Sequence, residues 1–142
     1  MNELARISKV RQELERATSV EEVKDIRNLA EAAREYAKQV GLGLEAQNEC
    51  AEIKIRAERK GGLLLKEMEL NKGGRPSQNY SHDVTGFPSL NDIGVGRMQS
   101  SRWQLEASLP DDIFEEYITE VKSKPDELTS AGVIRLARKL LQ

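Results

Sequence analysis

Between residues 20 and 40, Val23, Ile26, Ala30, Ala33, Ala37 and Val40 recur at alternating spacings of three and four. Only a helix brings such positions onto one face, and a repeat held for nearly three heptads asks for another helix to cover it. Leu29 and Tyr36 widen the stripe, and the alanines allow close approach. Ser19-Val20-Glu21-Glu22 is a capping-box start, in which the Ser side chain takes a free backbone N–H and Glu22 reaches back. Gly41 and Gly43 break the helix.

The same periodicity extends to either side. Residues 2–17 place Leu4, Ile7, Val10, Leu14 and Ala17 on one face, and residues 44–70 do the same with Ala46, Cys50, Ile53, Ala57, Leu64 and Met68. Lys60-Gly61-Gly62 interrupts this second stripe. Two adjacent helical glycines cost about 1 kcal/mol each relative to Ala. Either the helix kinks there or something packs against the missing side chains. The charged run EIKIRAERK reads as a solvated face with i,i+4 pairs; a phosphate-tracking stripe is the other reading. Residues 1–70 are therefore expected to form a long-helix hairpin or coiled-coil module. It would pair two copies as a homodimer through residues 20–70, or hold a protein partner.

Residues 71–88 lose all periodicity and are rich in Gly, Pro, Ser and Asn, as a flexible linker is. Within them Lys72-Gly73-Gly74-Arg75-Pro76 also looks like an AT-hook core, with Arg75 suited to a narrow minor groove. From Ser89 to Pro110 the pattern becomes two short helices joined at a glycine. Leu90 and Ile93 give one apolar turn, Gly94 can take positive φ, Val95 is buried after the bend, and a second helix spans about 97–108. Such a tight turn joins a supporting helix to one that can enter the major groove. On the second helix Arg97, Gln99, Ser100, Ser101, Arg102 and Gln104 are donors suited to phosphates and base edges. Gly94 and Trp103 are structural. A helix at 111–122, with Asp111 and Asp112 at its dipole-favoured start, carries Ile113, Phe114, Tyr117, Ile118 and Val121 on one face. Phe114 and Tyr117 are expected beneath the recognition helix with Trp103. Pro125 lies past its end, and a last helix starts near Thr129, with Arg135, Arg138 and Lys139 opposite its apolar side.

Gly94, Arg97, Ser101 and Leu109-Pro110 fall at the spacing of the helix-turn-helix of ParB-type partition and regulatory proteins. Glu127-Leu128-Thr129, Ala131-Gly132 and Arg135-Leu136 are similar to a later ParB segment, with one residue inserted. The resemblance covers about a third of the chain, residues 89–141. Ser100, Arg102, Gln104 and Val133 depart from it, standing where the family has Val, Asn, Leu and His. The family's Arg-rich nucleotide-binding part is absent from these residues. The resemblance implies a duplex-DNA-reading domain over 89–142 in an all-α chain. It also implies a role as transcriptional regulator or partition or replication accessory of a plasmid, phage or integrative element.

Composition sets limits on this reading. The 142 residues carry a net charge of −2, so a DNA binder of this kind must segregate its charge. Residues 71–109 hold four basic residues against three acidic ones. The lone Cys50 forms no internal disulfide and reads as a small core or interface residue. His82 beside Asp83 has no nucleophile or second acid spaced to join it. Metal-ligand spacing, phosphate loop and catalytic triad are all missing, so neither an enzyme nor a cofactor is expected. With no signal peptide and no long apolar run, the expected location is the cytoplasm and no membrane partner is expected.

Overall fold

The computed structural model describes residues 3–68, 90 and 93–141, and among these every regular element is a helix. They are α1 (Glu3–Arg16), α2 (Val20–Gln39), α3 (Leu44–Glu67), α4 (Arg97–Ala107), α5 (Asp111–Ser123) and α6 (Ser130–Leu141). No helix of the described residues is long and apolar enough to cross a membrane.

Local chemistry sets the ends. The Ser19 Oγ accepts the Glu22 backbone N–H at 3.2 Å and donates to the Glu22 carboxylate, so the Ser half of the capping box forms and Glu22 returns to the hydroxyl instead of the backbone N–H. At the far end of α2, Gly41 has φ 77°. There the Leu42 N–H reaches the Ala37 carbonyl at 2.9 Å and the Gly41 N–H reaches that of Lys38, a pair of bonds that closes a helix only where one residue turns left-handed. Thr129 caps α6 by accepting the Gly132 N–H at 3.0 Å.

α3 is the hub, packing against α1, α2, α4 and α5. Its Ile53 and Ala57 join Leu14, Ala17, Val23, Ile26 and Ala30 in one core. Its Leu65 joins Val20, Ile93, Val95 and Trp103 in a second. Its Ala51 and Ile55 join Leu109, Phe114, Ile118, Leu128, Val133 and Ala137 in a third. The packing thus crosses the boundary expected at residues 71–88, because α3 supplies apolar side chains to both sides of it.

The α2 repeat is covered within the chain, as a hairpin covers it: Val23, Ile26, Ala30 and Ala37 are buried, and α3 packs against α2. Two expectations change. The run EIKIRAERK is not a solvated face, since Glu52 and Glu58 are buried and its basic residues are tied to other helices. Lys54 binds Glu31 at 3.0 Å, and Arg56 holds Glu52 and both oxygens of Glu115 at 2.7 Å. Arg59 donates to the Glu106 carbonyl at 2.8 Å and to Asp111 at 2.8 Å. Phe114 lies in the core shared with α6, beneath the Arg59 guanidinium 4.0 Å away, and not under Trp103.

The glycine pair is resolved in favour of close packing. α3 continues as helix through Gly61 and Gly62, both buried. A Cβ on Gly61 would sit 2.8 Å from Trp103 Cε3, and one on Gly62 would overlap the Trp103 carbonyl. α4 crosses α3 here with the Trp103 ring on Gly61 and its own backbone on Gly62. The cost of two glycines in a helix is offset by an approach that no other residue permits.

Candidate nucleic-acid interface and the cleft beside it

α4 begins after a tight bend. Gly94 has φ 73° and its carbonyl accepts the Lys24 ammonium at 2.5 Å, while the Val95 N–H returns to the Leu90 carbonyl at 3.1 Å. Ile93 and Val95 are buried on either side of the bend. Leu90 and Ile93 lie in turns, and the rest of the expected supporting helix lies outside the described residues. Support for α4 comes from α3, which Trp103 meets at the glycine pair.

Anchoring by Trp103 divides the helix. Trp103, Ser100 and Glu106 are buried, whereas Arg97, Met98, Ser101 and Arg102 are exposed, Met98 at 67%. Ser100 was expected to face a phosphate and does not: it is buried and its Oγ accepts the Gln104 side-chain amide at 2.9 Å. Gln104 and Gln99 are half-buried. Arg75 lies outside the described residues. Met98, the most exposed large apolar side chain among the described residues, was missed, because the sequence reading sought donors alone.

α6 packs against α4 and extends its basic surface. Together the two helices carry Arg97, Arg102, Arg135, Arg138 and Lys139, and their single acid, Glu106, is buried. Among the described residues none of these five cations is held in an ion pair. The other described acids of this half of the chain are Asp111, Asp112, Glu115, Glu116 and Glu120 on α5 and Asp126 and Glu127 in the segment before α6.

Between α4 and α6 opens a cleft of about 670 Å³. Arg102, Arg135 and Arg138 line its rim, and Glu58, Glu106 and Ser130 lie deeper. Glu58 is buried with both oxygens engaged, accepting from Arg27 Nε at 2.8 Å and from Ser130 Oγ at 2.6 Å. Glu106 is 1% exposed and its oxygens meet no donor, which leaves the Glu58 carboxylate as the neighbour its acid proton reaches. Burial, and then the adjacent Glu58 carboxylate, holds the Glu106 carboxyl far above the usual carboxylate range, so at neutral pH it is the uncharged acid. Local sequence does not reveal this pair: Glu58 sits in a run with the look of a solvated surface, and 47 other positions lie between it and Glu106 with no shared motif.

Among the described residues there is no group of His, Cys, Asp and Glu side chains able to hold a metal ion. No protein-family model, curated protein or solved structure matches the chain.

Proposed function

We propose that the chain is a sequence-specific duplex-DNA-binding protein whose reading surface is the outer face of α4. Arg97, Ser101 and Arg102 meet the groove, Met98 makes apolar base contacts, and Arg135 and Arg138 of α6 take flanking phosphates. The observation that carries this reading is the segregation of charge: five cations on two touching helices, their only acid buried, in a chain of net charge −2. The ParB-like spacing of Gly94, Arg97, Ser101 and Leu109-Pro110 supports it. On that likeness the role is transcriptional control, or partition or replication accessory work for a mobile element. Selection of bound duplexes from a random pool, read by sequencing, tests it. An enriched half-site is expected, and recovery of no sequence above background would reject it.

A second reading, an interaction module that binds or inhibits a partner protein, is favoured by a different observation. On α2, Leu29, Tyr36 and Val40 are 52%, 60% and 50% exposed. With exposed Ala33 they recur at spacings of four, three and four, the pattern of a helix face that lacks a cover. In the DNA reading the same stripe serves a homodimer, which supplies the two heads that a useful operator needs. Sedimentation of the chain alone, compared with a Leu29→Glu, Tyr36→Glu variant, separates these uses. Loss of a dimer supports pairing, and a monomer in both cases leaves the stripe to a foreign partner.

A further inference from the structure

The cleft between α4 and α6 holds a group that DNA reading does not use. Glu106 lines it, is almost wholly buried, and meets no hydrogen-bond donor at either carboxyl oxygen. Native proteins keep few such groups, because each forfeits its hydration without replacement. Its neighbour meets only half of the deficit: the Glu58 oxygens accept from Arg27 and Ser130, but a carboxylate keeps further lone pairs and takes the Glu106 acid proton. That leaves Glu106 one carbonyl acceptor for a ligand. An amine or ring N–H on the edge of a nucleobase matches it.

The rim has a complementary need. Arg102, Arg135 and Arg138 are exposed, close over the same space, and enter no ion pair among the described residues. A phosphate meets guanidinium donors in their preferred fork geometry. At about 670 Å³ the cleft is of ordinary size for a small-molecule site. A bare anion would satisfy the rim and leave Glu106 empty, whereas an uncharged amide would do the reverse.

We propose that this cleft binds an organic phosphate with an N–H donor on its far edge, a nucleotide in the simplest case, its phosphate on Arg102, Arg135 and Arg138 and its edge on Glu106. The site does not rest on the DNA reading, because Glu106 and the cleft are there whether or not α4 meets a duplex. It does share Arg102 with that surface, so a bound nucleotide and a duplex compete. The nucleotide is either free or belongs to a single strand, and the chemistry at the cleft is the same for both.

Trp103 is the sole tryptophan and lines the cleft, so its fluorescence reports occupancy in the full chain. The chain is titrated with AMP, CMP, GMP and UMP, with ribose 5-phosphate, with inorganic phosphate and with single-stranded oligonucleotides. At least one nucleotide, free or in a strand, is expected to saturate the signal about tenfold more tightly than ribose 5-phosphate or inorganic phosphate, the worth of one good hydrogen-bonded edge. Saturation by mononucleotides assigns a free ligand, and saturation by strands alone assigns a strand. R135A/R138A, two exposed positions, should weaken binding about tenfold or more. Glu106→Gln keeps a donor and an acceptor and should retain the preference over ribose 5-phosphate, which Glu106→Leu should abolish. The proposal is overturned if no nucleotide or strand gives a saturable change, if ribose 5-phosphate or phosphate binds as tightly, or if R135A/R138A binds normally. Arg97 and Ser101 do not line the cleft, so duplex binding tested at those positions succeeds or fails separately.

Discussion

α3 and the α4–α6 face hold the same kind of side chain in opposite states. On α3, Lys54, Arg56, Arg59 and Lys60 are each held by a carboxylate or carbonyl of another helix. On α4 and α6, Arg97, Arg102, Arg135 and Arg138 have no such holder among the described residues. Engaged cations fix helix against helix, and cations left open keep their charge at the surface. If the open face meets a duplex, as proposed, substitutions on the two surfaces should have opposite signatures.

The largest effects belong to the crossing of α3 and α4, on which the open face depends. Trp103→Ala empties the core at that crossing and should cost about 3–5 kcal/mol in denaturant unfolding. Gly62→Ala forces a Cβ into the Trp103 carbonyl and should cost about 2–3 kcal/mol. A loss below about 1 kcal/mol would mean that the helices do not cross as closely as described.

The sharpest test of the comparison pairs two arginines. Arg56→Ala releases Glu115 and one hold on buried Glu52, and should lower stability by about 1–3 kcal/mol with duplex affinity unchanged in the folded fraction. Arg102→Ala should leave the thermal midpoint in place and weaken binding to a selected duplex by about 1–3 kcal/mol. If both variants lose stability alike, the distinction between the two surfaces is wrong.

Smaller effects appear in the pH dependence, with opposite signs for buried Glu106 of α4 and for Glu31 of α2, which holds Lys54 of α3. Glu106 has a folded pKa above its ordinary 4.5, so its contribution is complete below that value and is lost progressively as pH rises. Glu106→Gln should therefore unfold at higher denaturant than the parent at neutral pH, with the gap closing toward pH 4. For Glu31, burial opposes ionisation, but hydrogen bonds from Arg34 and Lys54 outweigh it and bring the pKa down to about 2. Its contribution is present above 4.5 and fades as pH falls toward 2, so Glu31→Gln should be less stable than the parent at neutral pH, with the gap closing toward pH 2. Unfolding curves across pH for both variants check the two signs together.

Much of the fold was legible because it is local. Periodicity, the Ser19 cap and the Gly41 stop place the helices within a residue or two of their positions, except that α3 ends at Glu67. The bend at Gly94 and the anchor at Trp103 were legible too, since a positive φ and a large apolar side chain are marked by residue type. Partners were not legible. The α2 repeat states that some helix covers it but not that α3 of the same chain does so. Gly61-Gly62 states that something comes close but not that it is Trp103. Ser100 looked like an outward donor because residue type does not reveal the direction of a helix face, which the burial of Trp103 decides. Glu58 and Glu106 meet only through the tertiary fold, so nothing in either local stretch points to the other.

The most direct test is fluorescence anisotropy of a selected duplex with the full chain across a salt series, beside a variant carrying Arg97→Ala and Arg102→Ala. Binding by the open face predicts that log affinity falls linearly with log salt, and that the variant binds about tenfold or more weakly with a shallower slope. Equal affinity and slope for parent and variant, or no binding by the parent at low salt, would contradict it.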